Sequence, residues 1–315
     1  MTKAKSNKNR DLSILGPLAA LVIMMVLVTI LNPSFIRPSN LMNLLRQVSI
    51  NALIAFGMAF VILTGGIDLS VGSILALTSA IFAGLLGTGV PPFLAVIIAL
   101  ACGAVFGMLN GLLITKGKMA PFIATLATMT IFRGLTLVYT GGNPMTNFSD
   151  AFSYKFIGRG YVLGIPWPVI LMIIAFVIAF IILNKTPFGR KTYAIGGNEK
   201  ASIISGIKTN IVKIKVYAIS GFLAASAGLI LTSRLNSAQP TAGTAYEMDA
   251  IAAVVLGGIS MSGGKGSIAG VLVGALILGT LNNGLNMLGV SSFYQQIVKG
   301  IVILIAVLID RKRNK

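Results

Sequence analysis

The sequence predicts an all-α polytopic membrane protein of about ten transmembrane helices, with short interfacial and cytoplasmic coupling helices. Three observations carry this expectation. Of the 315 residues, 56% are hydrophobic and 10% charged, with a mean hydropathy of +0.92. A soluble chain carries about a quarter charged residues, so the solvent implied here is lipid. Apolar runs of roughly 20 residues, the length that crosses the hydrocarbon, recur along the chain. Finally, 25 Lys and Arg outnumber 7 Asp and Glu, and the bases sit between the runs, where membrane topology places them.

The runs lie near 12–31, 45–64, 70–87, 93–114, 121–140, 163–183, 214–233, 249–262, 267–288 and 292–309. The eighth is the weakest, being short and flanked by glycines. Lys3, Lys5, Lys8 and Arg10 precede the first run and predict a cytoplasmic N-terminus. Alternation then puts Lys116, Lys118 and the 184–213 loop on the same side. That loop carries Lys185, Arg190, Lys191, Lys200, Lys208 and Lys213. The C-terminal "RKRNK" follows them; an odd count would strand it outside, so the parity is even. The first run resembles a signal peptide, but it is long enough to cross and is followed by "NPSF" rather than a small-x-small cleavage site. It reads as a retained span. The expected organisation is a cytoplasmic tail over 1–11, one transmembrane domain over 12–309 and a cytoplasmic tail over 310–315, in the inner cell membrane. Before the second run, "RPSNLMNLLRQ" reads as an interfacial helix capped by Ser39 or Asn40.

Composition also excludes chemistry. There is no histidine, which removes His-based catalysis, His metal sites and His proton relays. Cys102 is the one cysteine, so no intramolecular disulfide forms and a small packed side chain is expected. The bases are not interleaved with aromatics, so nucleic acid is not a partner. No catalytic, cofactor or metal residues are predicted.

Lipid gives helices no hydrophobic reason to associate, so close packing depends on small residues four apart. Gly103, Gly107 and Gly111 have that spacing; so do Gly266, Gly270 and Gly274, and Gly72, Ala76, Ala80 and Gly84. Two helix breaks stand out. "LTGGIDLSVGS" contains Gly65, Gly66, Asp68 and Ser70, and "VLGGISMSGGKGS" contains Gly257 and Gly258. Their shared Gly-Gly-Ile hints at a duplicated architecture, and transporters often place such interruptions near their pathway. An Asp at the bilayer centre costs about 2.5–3.5 kcal/mol on insertion scales and needs a reason. Asp68 has two readings: a cap on the free N–H groups of the next helix, or a part of the pathway or gate. Glu247 and Asp249, opening the eighth run, allow the capping reading as well.

A concentrating transporter needs an energy source. "GGISMSGGKGS" fails the nucleotide-binding P-loop pattern twice, with Ile259 at the leading position and Gly266 after Lys265. Energy would therefore arrive from another subunit. The stretch "AIGGNEKASIISGIKTN" supplies a handle for one. Asn198 is a helix N-cap, Glu199 suits the first turn by about 0.3–1 kcal/mol, and Gly206 is a C-terminal stop. Ile203 and Ile204 would face the cytosol as a plug for a partner's groove; the alternative is an ordinary helix lying on the membrane.

Three segments now carry a family likeness. "SINALIAFGMAFVILTGGIDLSVGS", "KTYAIGGNEKASIISGI" and "VVLGGISMSGGKGSIAGVLVGALILG" resemble the permease subunits of sugar-importing ATP-binding-cassette transporters of the ribose and galactose type, with the ribose type nearest. The resemblance runs from about residue 33 to 309. It implies a membrane homodimer, a separate ATPase subunit that binds ATP and Mg, and an extracytoplasmic sugar-binding protein. No cofactor belongs to this chain. The coupling helix would comprise Gly196, Gly197, Asn198, Glu199, Lys200, Ala201, Ser202, Ile203, Ile204 and Gly206. Lys200 departs from the stricter Glu-Ala-Ala loop of other importers. Ribose is the expected cargo, with galactose or an autoinducer-type sugar as alternatives. The rival classes are an energy-independent sugar facilitator and a membrane-embedded enzyme.

Overall fold

The computed structural model describes residues 5–146 and 152–313. The first residues of the N-terminal tail, residues 147–151 of the expected outer loop and the last two residues of "RKRNK" lie outside them. Thirteen α-helices and one two-stranded hairpin are present among the described residues.

Helix α1 (Lys5–Leu31) is followed by a 3-10 turn, Pro33–Ile36, capped when Ser34 N–H donates to Asn32 Oδ1 at 3.1 Å. Helix α2 (Pro38–Leu63) begins directly after it. The interfacial segment expected at 37–47 is therefore not a separate helix. Pro38 at the first helical position starts one continuous rod, because its ring presets φ and its missing N–H would be unpaired there in any case. Asn40 does not cap. Its amide donates to Phe35 O at 2.8 Å and pairs with the amide of Asn283 at 3.0 Å, tying α2 to α12 (Ile268–Met287).

Helices α3 (Val71–Gly87), α4 (Pro92–Thr115) and α5 (Pro121–Thr140) follow, the last two also opening on proline. The loop expected at 141–162 contains helix α6 (Phe152–Arg159) and leads into a hairpin of β1 (Tyr161–Val162) and β2 (Ile165–Pro166). Leu163 and Gly164, both at positive φ, make its two-residue turn. Gly158 N–H donates to Ser233 Oγ at 2.8 Å, and the Tyr154 hydroxyl donates to Thr232 O at 3.1 Å. These bonds fasten α6 to the end of α10 (Thr209–Leu235). Between them lie α7 (Trp167–Lys185), α8 (Pro187–Gly197) and α9 (Glu199–Ile204). The chain closes with α11 (Tyr246–Leu256), α12 and α13 (Ser292–Arg313).

Among the described residues, six helices are long and apolar enough to cross a bilayer: α2, α4, α5, α7, α10 and α12. Leu15–Leu31, Val71–Gly87 and Ser292–Leu308 are shorter apolar helices. Helix α11 falls furthest short of its expected run, 249–262. Its 11 residues reach only about 16 Å at 1.5 Å per residue, half the hydrocarbon, and residues 236–245 approach it without helix. The molecule is an all-α, multi-pass membrane protein.

The core is built around α2 and α10. Every residue of α2 from Ala52 to Leu63 is buried, whereas α4, α5 and α7 leave large apolar side chains such as Phe93, Ile131 and Ile174 exposed, the surface that lipid requires. Helices α4 and α10 touch through glycine. A methyl at Gly107 would overlap the Tyr217 carbonyl, one at Gly103 would meet Gly221 and Ala225, and one at Gly111 would lie 2.7 Å from Ile214 Cα. Gly270 and Gly274 seat α12 against Gly257 and Ala253 of the α11 segment. Gly266, grouped with them by spacing, is not helical. It precedes α12 at φ +125° and packs on Ile259, because Ser267, not an earlier residue, caps that helix by accepting from Gly270 N–H.

Candidate functional site

Both Gly-Gly breaks end their helices by the same hydrogen-bond pattern. At the end of α2, Gly65 N–H donates to Ile62 O at 2.8 Å and Gly66 N–H to Val61 O at 3.1 Å. At the end of α11, Gly258 N–H donates to Val255 O at 2.9 Å and Ile259 N–H to Val254 O at 3.1 Å. Each is a Schellman cap, in which a residue of positive φ lets two chain N–H groups satisfy the last carbonyls. Gly65 (φ 77°) and Gly258 (φ 82°) take that position, so the pair is offset by one residue within the shared Gly-Gly-Ile.

The two breaks meet, and the third quoted segment meets them. Gly264 N–H donates to Leu63 O at 3.0 Å, joining the turn after α11 to the end of α2. Gly196, on the last turn of α8, lies against both: a methyl there would overlap the Leu63 carbonyl and the Gly264 N–H. A methyl on Gly263 would come within 2.9 Å of Gly65 N and 3.0 Å of Gly196 Cα. The Tyr193 hydroxyl, one turn back on α8, donates to Gly266 O at 3.0 Å. Only glycine permits three backbones to approach this closely. Gly196 and Gly197 therefore close α8 and do not belong to the short helix after it.

That short helix is α9. Asn198 caps it, accepting from Ala201 N–H at 3.0 Å, with Glu199 in the first turn. Gly206 ends it at φ 78°; Gly206 N–H donates to Ile203 O at 2.9 Å and Ile207 N–H to Ser202 O at 3.0 Å. Lys200 and Ala201 are exposed and Ser202 is buried. Ile203 and Ile204 project from it, 56% and 88% exposed. Glu199 pairs with Lys213 of α10 at 2.6 Å. Because Glu199 is 42% exposed, this pair contributes at most about 1 kcal/mol. Glu199→Gln is accordingly expected to shift the thermal unfolding of the purified protein by no more than a degree or two.

Above the junction, residues 64–70 run without helix between α2 and α3, and Asp68 is fully buried among them. Its Oδ1 accepts from Ser70 N–H at 3.1 Å and from Ser70 Oγ at 2.6 Å. Its Oδ2 accepts from Ser220 Oγ of α10 at 2.9 Å. Asn110 of α4 donates to Ser70 Oγ at 2.7 Å, and the Tyr217 hydroxyl donates to Ile67 O at 3.0 Å. Asp68 thus turns the chain into α3 and also pins the break to α10 and, through Ser70, to α4. Asp249 and Glu247 part company. Asp249 pairs with Lys299 of α13 at 3.0 Å, while Glu247 lies beside Arg133 of α5. Arg133 donates to Pro240 O at 2.6 Å and Ala242 O at 2.9 Å, so it holds the non-helical approach to α11.

Several of these partners were not singled out in the sequence. Ser220, Asn110, Tyr217 and Tyr193 carry no local signal. Arg133 does: a base in the middle of the 121–140 apolar run is costly and marks function by default.

A bundle of this kind, with a protruding helix rooted in two broken spans, has the construction of a permease. Residues 40–307 match the family described as the permease component of the branched-chain amino acid transport system, and the chain belongs to that family. It is a transport component and not an enzyme. Individual relatives are more specific. The ribose import permease protein RbsC of Bacillus subtilis is 68% identical over 300 residues, covering 95% of this chain and 93% of that protein. The ribose import permease protein RbsC of Escherichia coli K12 is 54% identical over 301 residues, covering 94% and 93%. The galactose/methyl galactoside import permease protein MglC of Escherichia coli K12 is 36% identical over 326 residues, covering 96% of each. No solved structure matches the chain.

Proposed function

We propose that this chain is the membrane permease of an ATP-driven importer for a simple sugar, with ribose as its cargo. The names of its relatives support the sugar, and 68% identity favours ribose over galactose. In this reading the chain crosses the membrane ten times, α11 and residues 236–245 together making the eighth passage. The 184–213 loop and both termini face the cytosol. Two copies form the pathway, an ATPase subunit that binds ATP and Mg grips each copy, and a sugar-binding protein delivers from outside.

The observation that carries the reading is the exposed Ile203–Ile204 pair on a helix whose root is interlocked with both helix breaks. An ATPase pocket closing on α9 would push α8, and through Gly196 the ends of α2 and α11, without any flexible joint between. Residues 64–70 and 240–245 would then shift together, opening the bundle on one face and closing it on the other.

The test is the double substitution Ile203→Glu and Ile204→Glu. Losing two apolar anchors from the centre of an interface costs about 2 kcal/mol or more, roughly thirtyfold in affinity. The ATPase is expected to stop co-purifying while membrane insertion is unchanged, and ATP-dependent ribose uptake by vesicles is expected to disappear. Unchanged co-purification would remove α9 as the grip. Full ribose flux by the wild type without ATP or ATPase would make the protein a facilitator.

A further inference from the structure

Non-helical backbone at membrane depth survives only where protein buries it or where it lines a water-filled cavity. Pro240 and Gly243 meet the first condition, being buried by protein, and Thr244 and Ala245 meet the second. The latter two border a cleft of about 380 Å3 whose walls include Ser73, Thr130, Arg133, Thr244 and Glu247. A small-ligand site occupies about 300–1,000 Å3. Its depth follows from the helices. Arg133 lies twelve residues beyond Pro121 on α5, about 18 Å along the axis, and Thr244 sits just before α11, about 16 Å above that helix's far end. Both distances put the cleft near the middle of a hydrocarbon layer about 30 Å thick.

The chemistry of the walls is specific. A guanidinium offers only donors, a carboxylate only acceptors, and the Ser and Thr hydroxyls offer both. Arg133 is anchored on two carbonyls, so its position is set before any solute arrives. The opposite charges of Arg133 and Glu247 offset one another in this cleft, which removes the attraction for a net anion or cation. With Met129 and Leu137 beside these polar groups, the walls suit a neutral molecule that carries several hydroxyls and an apolar C–H face.

We propose that this cleft is a mid-membrane station for a neutral monosaccharide, where Arg133, Glu247, Thr244 and Thr130 exchange hydrogen bonds with the hydroxyls as the sugar passes. The assignment rests on the permease reading above and adds to it the contact site inside the membrane. Glu247 and Arg133 hold the polar ends, and the unwound segment supplies the opening.

The full transporter with its ATPase and binding protein, in vesicles, tests it. Thr244→Cys is made in a Cys102→Ser background, and modification by a charged, water-soluble thiol reagent is followed during ATP turnover. Modification is expected, and saturating ribose is expected to slow it at least threefold, while leucine at the same concentration does not. Ile174→Cys, on the exposed apolar face of α7, is expected to stay unmodified. No modification at position 244, modification that ribose does not slow, or equal protection by leucine would each overturn the station. If the unsubstituted transporter accumulates no ribose with ATP, the permease reading fails instead, so the two failures are distinguishable.

Discussion

Gly196→Ala is expected to be among the most damaging single-methyl substitutions in the protein, and Gly197→Ala, one residue on, is expected to do nothing measurable. A methyl on Gly196 meets the Leu63 carbonyl and the Gly264 N–H, both backbone, and these are the two atoms that bond each other at 3.0 Å across the breaks. Side chains can rotate away from an added methyl; the backbone of a capped helix end hydrogen-bonded to a glycine turn cannot. Overpacking of this kind costs about 1–3 kcal/mol, and fixed backbone puts it at the upper end. A methyl on Gly197 meets nothing within 4 Å. The readouts are thermal unfolding in detergent and ATP-dependent uptake with the ATPase present. The first variant should lose several degrees and most uptake, and the second neither. Equal behaviour of the two would mean that the junction does not transmit anything, and the route from α9 to the helix breaks would have to be abandoned.

Asp68→Ala is expected to lower stability by about 1–3 kcal/mol, because it leaves buried donors on Ser70 and Ser220 unpaired. Asp68→Asn is expected to be mild. Its carbonyl keeps both bonds from Ser70, and the Ser220 hydroxyl can turn to accept from the new amide. Expression, thermal unfolding and uptake of the two variants decide between the roles. A stable Asp68→Asn protein that transports shows that the residue acts by shaping the break. A stable one that does not transport assigns the negative charge itself to the pathway.

The comparison of these two sites shows what could be read along the chain. Asn198, Gly206 and the Gly-Gly breaks were legible because caps and stops act within four or five residues, and Schellman geometry needs only a residue of positive φ at one position. Gly103, Gly107 and Gly111 were legible as a stripe for the same local reason, although their partner, α10, was not. Gly266 was misplaced because a four-residue spacing ignores where a helix begins, and Ser267 set that start. The segment at 37–47 was misread because a polar, capped-looking stretch and the first turns of a longer helix have the same pattern. The eighth run, already the shortest and glycine-flanked, carries apolar composition past Leu256, but the helix itself stops at Gly257 and Gly258.

Solvent and connectivity were determined by the sequence alone. A chain this apolar, with bases confined to the gaps, must lie in lipid, and its runs and breaks fall where local chemistry puts them. Tertiary structure decided which of those pieces touch. Residues 63, 196 and 264 are separated by more than a hundred residues in one case and nearly seventy in the other, and glycine carries no side chain whose pattern could announce a distant partner. The same holds for Arg133 and the carbonyls of Pro240 and Ala242: backbone acceptors are identical in every residue, so only the fold can say which ones an arginine will find.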